Sequence, residues 1–225
     1  VCPAAPEHGR IYCADGAGSG PVVARAFRNA VAEAGLPLRV EEVPWSKGEG
    51  RVVADQIDYA RVRAFGRCLA ESIVAYRRAN PDGEVFLVGH SAGSGVVLAA
   101  LECLPPLTVD RAFLLAPSVS ADYDLRPALR ASRQGIDVYY SRRDRIVLGV
   151  LTRVIGNTDR RGGATSGHVG FRLAVATCED QALYANLRQH QWTREVAWTG
   201  NRGRHFDTYK PEFLRAYILP LMAGR

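Results

Sequence analysis

The stretch Val85-Phe86-Leu87-Val88-Gly89-His90-Ser91-Ala92-Gly93 constrains this chain more than any other. Its apolar run reads as a buried strand, and Ser94-Gly95-Val96-Val97-Leu98-Ala99-Ala100-Leu101 continues as an apolar helix. Between the two, G-x-S-x-G has to turn the chain within a few residues. Glycines flank the serine because side chains at those positions would collide with neighbouring backbone. The turn lifts the serine to the end of the strand, with the first helical N–H groups and the helix dipole beneath it. Ser91 is therefore the leading candidate nucleophile; the alternative is an incidental serine in a glycine-rich strand-to-helix loop.

The same alternation runs through the rest of the chain. Short apolar runs place strands at 10–14, 38–43, 85–88, 109–115, 136–140 and 194–198, and helices at about 21–34, 54–79, 94–103, 125–134, 179–190 and 210–222. In the longest helix, Ile57, Ala60, Ala64, Cys68, Leu69, Ser72, Ile73 and Tyr76 recur with a period near 3.6, and Asn80-Pro81-Asp82-Gly83 ends it. The fold class is thus α/β: a doubly wound, mostly parallel sheet of about six strands with helices on both faces. In such a sheet ligands bind at the carboxyl ends of the strands, here near 15–20, 44–48, 89–93, 116–122, 141–146 and 199–206. A length of 225 residues suits one domain over 1–225. Segment 146–178, with Gly149, Gly156, Gly162, Gly163, Gly167 and Gly170, reads as an excursion between the fifth and sixth strands, long enough to cover a site.

Gly89-His90-Ser91-Ala92-Gly93, with a strand before it and a helix after, resembles the nucleophile elbow of the α/β-hydrolase superfamily in the variant frequent among lipases and esterases. Through the order of strands the resemblance extends over nearly the whole chain. It implies a compact member near cutinase in size, without the two strands that often precede the first, although the elbow departs from the usual cutinase pattern. It also implies a Ser-His-Asp triad in the order serine, acid, histidine, and an acyl-enzyme on Ser91. The implied substrate is a small-molecule ester or other acyl compound, and the implied chemistry needs no metal or organic cofactor. Thioester hydrolysis and acyl transfer use the same triad. The rival of a different class is a non-catalytic hydrolase-fold protein that binds partners.

Of the five histidines, His8 precedes the serine and His90 lies inside the turn, where its side chain points away from the serine oxygen. His190 is expected to end a helix on the wrong edge of the sheet. His205 follows the expected strand at 194–198 through a loop, which is where the family carries its base; His168, in Thr165-Ser166-Gly167-His168, is the second choice. For the acid, Ser141-Arg142-Arg143-Asp144 follows the strand at 136–140 and resembles the family's acid loop. Asp122 and Asp124 are rivals, with Asp122 read as a helix cap. Segment 146–178 makes the separation from Asp144 to His205 longer than the compact family pattern.

Asp15-Gly16-Ala17-Gly18-Ser19-Gly20 joins the first strand to the first helix. As a dinucleotide turn it would use Glu41 or Glu42 on the next strand, but Pro21 occupies the place of the third glycine. The stronger reading is an oxyanion loop of the His-Gly-x-Gly type, with aspartate in place of histidine. Backbone N–H groups of Ala17 and Ala92 would then meet the oxyanion, with Gly16 as a near alternative to Ala17.

The formal net charge is +6, and all the basic residues except Lys47 and Lys210 are arginine. With no basic helix, aromatic–basic strand pattern or finger spacing, nucleic acid is not the expected partner. Arg142, Arg143, Arg145, Arg202 and Arg204 bracket the proposed acid and base. They make the site mouth either electropositive or locally neutralised by Asp137, Asp144 and Asp207. No run is long and apolar enough to span a membrane. The start at Val1 rather than Met reads as removal of a leading segment, by processing or by trimming. Cys2, Cys13, Cys68, Cys103 and Cys178 form no C-x-x-C pair, and Cys13, Cys68 and Cys103 are expected to be buried hydrophobes. The odd count leaves the compartment open, and oligomeric state is not legible.

Overall fold

Five of the six expected strands form where their apolar runs lie. In the computed structural model, which describes residues 8–56, 58–144, 159 and 163–224, these are β1 (Gly9–Ala14), β2 (Leu38–Glu42), β3 (Glu84–His90), β4 (Arg111–Leu115) and β5 (Ile136–Tyr140). A sixth strand, β6 (Leu187–Gln191), completes a sheet of order β2-β1-β3-β4-β5-β6, and every pairing is parallel. Parallel pairing requires crossovers that cover both faces, so the inner strands carry apolar residues on both sides. Ile11, Phe86, Val88, Phe113 and Leu115 face one layer, formed by α1 (Val22–Glu33) and a C-terminal helical run over Pro211–Met222. Leu87, Leu114 and Val138 face the other, formed by α3 (Tyr59–Ala79), α4 (Gly93–Leu101) and α5 (Arg126–Ala131). The short helices α2 (Val52–Gln56), α6 (Ser166–Val169) and α7 (Cys178–Tyr184) complete the set among the described residues.

Several expectations are corrected. The sixth strand is not 194–198: Arg194–Thr199 is a 3₁₀ turn, with Trp198 standing 70% exposed. The strand instead occupies Leu187–Gln191, inside the expected helix 179–190, which stops at Tyr184. As an edge strand, β6 pairs only with β5 and has the polar sequence Leu-Arg-Gln-His-Gln, so no apolar run marks it. His190 consequently lies on a strand, opposite Tyr139 in register.

The expected helix 54–79 is two helices, because Asp58 caps α3 by accepting from Arg61 N at 3.0 Å. Its buried face is Val62, Gly66, Leu69, Ala70, Ile73 and Tyr76, rather than the stripe through Ala60, Ala64, Cys68 and Ser72. Gly66 is the reason: a Cβ there would sit 2.5 Å from Ala99 Cβ, so α3 and α4 approach closely along a residue that a hydrophobicity count ignores. Cys68 and Cys103 are accordingly exposed, while Cys13 is buried in β1 as expected. Cys2, Ile57, Arg145 and residues 146–158 of the excursion lie outside the described residues. No helix among the described residues is long and apolar enough to cross a membrane.

Candidate active site

Ser91 follows β3 and precedes α4, at φ 52. A non-glycine residue with positive φ is held against a cost of about 1–2 kcal/mol, and here both flanks enforce it. A Cβ on Gly93 would fall 2.1 Å from the Ala14 carbonyl oxygen, and one on Gly89 would fall 2.7 Å from Ser94 Cα. The backbone around the serine is tied to β4 as well: Ser91 N donates to Leu115 O (3.0 Å) and Ser118 N donates to Ser91 O (3.0 Å). The Ala92 N–H lies ahead of the first helical bonds, from Ser94 N to Ser91 O (3.2 Å) and from Gly95 N to Ala92 O (3.0 Å).

Asp144 and His205 come together from loops 61 residues apart: His205 Nδ1 donates to Asp144 Oδ2 at 2.7 Å, and the two residues are only 5% and 3% exposed. A tight turn after β5 sets the acid, with Asp144 N donating to Ser141 O (3.1 Å) and Arg143 N to Ser141 Oγ (3.1 Å). The histidine loop is held by Asp207, whose Oδ2 accepts from Arg202 N (2.9 Å) and Arg204 N (3.1 Å). With Nδ1 committed to the carboxylate, Nε2 of His205 is the nitrogen left to accept a proton.

His90 joins this pair to the serine turn. Its Nε2 lies 3.1 Å from the His205 carbonyl oxygen, and the two rings are 4.8 Å apart. A carbonyl only accepts, so Nε2 carries the proton. Burial, with His205 nearby, drives the His90 pKa down to about 3, so the ring is neutral. His90 thus braces the backbone of His205 without adding a charge beside it, a role that its place inside the turn did not suggest.

The β1–α1 loop reaches the same spot. A Cβ on Gly16 would lie 3.2 Å from Ser91 Cβ and 3.2 Å from His90 Nδ1. Two buried carboxylates hold this loop. Asp15 accepts from Val23 N (2.6 Å) and Ala24 N (3.3 Å), and burial raises its pKa against those bonds. The helix N–H groups that a bound phosphate would use are therefore already satisfied, which argues against the dinucleotide reading. Asp55, which the sequence did not single out, accepts from Gly18 N (2.9 Å), Ser46 Oγ (2.6 Å) and Lys47 N (2.9 Å). Asp55 falls in the first turn of the helix expected over 54–79, where an acidic residue is ordinary and marks nothing.

The other candidates make none of these contacts. His168 lies on α6, its buried Nδ1 without a hydrogen-bond partner among the described residues. Asp122 does not cap α5: it faces Arg172 (3.2 Å), while Asp124 accepts from Arg126 N (3.1 Å). The described end of the excursion packs against the loop after β4, through Ser166 N to Val119 O (2.9 Å) and Gly167 N to Pro117 O (2.8 Å). That path brings the chain back across the sheet and accommodates the long separation between Asp144 and His205. A cavity of about 340 Å³ borders Asp144, walled by Tyr139, Trp192, Thr208, Phe213 and Tyr217. Among the described residues, no cluster of three or more His, Cys, Asp or Glu could hold a metal ion.

Comparison with known proteins gives this geometry a family. Residues 43–177 match the model of a family described as "Alpha/beta hydrolase of unknown function (DUF900)". A search of curated proteins found no match. Among solved structures, the chain is similar to a predicted CIB-like hydrolase from Thermoplasma acidophilum: 15% identity, 97% of this chain and 88% of that chain covered, TM-score 0.54. It also aligns with an acetylxylan esterase (15% identity, 85% of each chain, TM-score 0.48). A lipase-esterase related protein from Clostridium acetobutylicum aligns too (10% identity, 97% and 93% covered, TM-score 0.48). At these identities the likeness to the first is one of fold.

Proposed function

The chain belongs to the alpha/beta-hydrolase family of unknown function, and on that premise we propose that it is a serine hydrolase that cleaves carboxylic esters. The observation that carries this reading is the buried Asp144–His205 pair, bound at 2.7 Å and joined through His90 to the strained turn bearing Ser91. Two loops at the carboxyl end of the sheet and one strand-to-helix turn supply an orienter, a base and a nucleophile in the chain order serine, acid, histidine.

In the first half-reaction Ser91 Oγ attacks the acyl carbon while His205 Nε2 takes the hydroxyl proton. Asp144 holds the Nδ1–H tautomer and stabilises the imidazolium. Collapse of the tetrahedral intermediate breaks the acyl–oxygen bond, and His205 returns its proton to the departing alcohol. In the second, His205 takes a proton from water as the water oxygen attacks the acyl-enzyme. The carboxylic acid leaves and the proton goes back to Ser91. The oxyanion would be met by the Ala92 N–H and by Ala17 or Gly16, on the loop that Asp15 and Asp55 hold against the serine turn. A neutral His90 suits this scheme, since a cation beside His205 would oppose formation of the imidazolium.

The test is labelling with a fluorophosphonate probe. Labelling of wild type that is lost in Ser91→Ala and in His205→Ala supports the assignment. Labelling kept in His205→Ala but lost in His168→Ala transfers the role of base to His168. A folded wild type that takes no label contradicts the proposal.

A further inference from the structure

A second feature flanks the acid and base. Arg143, Arg194, Arg202 and Arg204, with Trp192 and Ala197, line an open groove of about 740 Å³. Arg143 immediately precedes Asp144, and Arg204 immediately precedes His205. The nearby carboxylates form no ion pair with these arginines among the described residues. Asp137 binds Arg188 and His190, Asp144 binds His205, and Asp207 accepts from the backbone N–H groups of Arg202 and Arg204. Glu195, next to Arg194 in sequence, does not line the groove. None of the four guanidinium groups forms an ion pair among the described residues, although arginines elsewhere on the surface, such as Arg126, Arg172 and Arg215, do.

Four guanidinium groups without an ion pair in one concavity outnumber the nearby Asp144 and Asp207, attract anions and repel one another, so an anion bound there relieves an electrostatic cost. The groove is also partly preorganised: the Arg143 guanidinium stacks 4.7 Å from the centre of the Trp192 ring, whose Nε1 donates to Asn201 O (2.9 Å). Guanidinium forks match the paired oxygens of carboxylate, phosphate and sulfate groups.

We propose that this groove is an anion-binding subsite, which selects acyl substrates bearing a carboxylate, phosphate or sulfate group beside the scissile ester. The choice of substrate rests on the serine-hydrolase reading; the binding of an anion does not. The experiment therefore has two arms, each run on wild type and on the double variant Arg194→Gln/Arg202→Gln, which leaves the acid, base and serine in place. In the first, Trp fluorescence follows titration with inorganic pyrophosphate and, separately, with citrate, which tells phosphate from carboxylate preference. Saturable binding is expected, weakened at least about tenfold by the double substitution and by ~200 mM NaCl. No saturable binding of either probe to wild type, or equal binding to the variant, overturns the subsite. In the second, kcat/KM is compared for 4-nitrophenyl acetate and mono-4-nitrophenyl succinate. The anionic ester is expected to lose several-fold more than the neutral one in the variant. Turnover of both esters with an unchanged ratio overturns the selection role while leaving the serine-hydrolase reading intact. Turnover of neither contradicts the hydrolase reading and with it the selection role, and the binding arm alone then decides the anion site.

Discussion

Two histidine–aspartate pairs lie along β5 and in the loop just after it, at the same distance, yet their surroundings differ. His190 Nε2 lies 2.7 Å from Asp137 Oδ1, and His205 Nδ1 lies 2.7 Å from Asp144 Oδ2. Asp137 is wholly buried within β5 and shared: Arg188 binds both its oxygens (3.0 and 2.9 Å) and Arg111 stands 3.5 Å away. Burial works to raise its pKa, but the bonds from His190 and Arg188 outweigh it and hold the carboxyl below its ordinary value. The His190 side chain is 41% exposed and stacked on Tyr139 at 4.5 Å. That assembly ties the edge strand β6 to β5. Asp144, one loop further on, has no arginine partner among the described residues and binds one buried imidazole, whose second nitrogen stays free of the carboxylate. A short contact therefore says little about a pair's role; what else shares the carboxylate, and which ring nitrogen is used, says much more.

The contrast sets an order of expected effects. Ser91→Ala is the largest: esterase activity should fall by about 10⁴-fold or more, measured as kcat on 4-nitrophenyl acetate, with the fold kept by circular dichroism. Asp144→Asn should follow, with kcat down by roughly 10³–10⁴-fold and little change in melting temperature. Asp137→Ala should do the reverse. It strands Arg111 of β4 and Arg188 of β6 on either side of β5, so urea unfolding should show a loss of about 3 kcal/mol. The kcat of the protein still folded should stay within about twofold. If Asp137→Ala abolished kcat without loss of stability, the two pairs would have to exchange roles.

Acid stability comes next in size. His90 is neutral in the folded state, its pKa depressed to about 3, whereas the unfolded chain binds a proton near pH 6.5. The unfolded state thus binds more protons between those values, and the stability contributed by a neutral His90 is present above pH 6.5 and lost as pH falls through that window. The slope from this one group is at most about 1.4 kcal/mol per pH unit. His90→Gln should flatten the dependence of unfolding free energy on pH between 6.5 and 4. The smallest effect belongs to His190→Gln, expected to cost no more than about 1 kcal/mol and to leave the pH–rate profile unmoved.

How far the sequence could be read follows the same line between shared and dedicated groups. Apolar runs marked β1, β3, β4 and β5 because inner parallel strands are buried on both sides, β2 at the other edge was marked by Leu38 and Val40 on its one buried row, and Gly89 and Gly93 marked the serine turn because backbone crowds both. The edge strand escaped because Arg188, Gln189, His190 and Gln191 meet neighbours through polar groups, and Arg194–Thr199 imitated a strand with an exposed tryptophan. His205 was reached through that mistaken strand, and it still meets Asp144 because the loop after the edge strand ends at the same rim of the sheet. Asp15 and Asp55 could not be read as loop supports, since their partners are mostly backbone N–H groups, with Ser46 Oγ added for Asp55, and no side-chain pattern encodes those. The groove was half legible. Arg143, Arg202 and Arg204 flank the acid and base in sequence, but only the fold adds Arg194 and Trp192 and shows that the nearby carboxylates form no ion pair with these arginines among the described residues.

The most direct test of the central claim is to trap the acyl-enzyme. Wild type would be quenched in acid during turnover of 4-nitrophenyl acetate, digested and mapped by mass spectrometry. The account predicts one acetyl group per chain, on Ser91, and an initial burst of nitrophenol that is absent in Ser91→Ala. An adduct on another residue, or turnover that Ser91→Ala leaves unchanged, would contradict it.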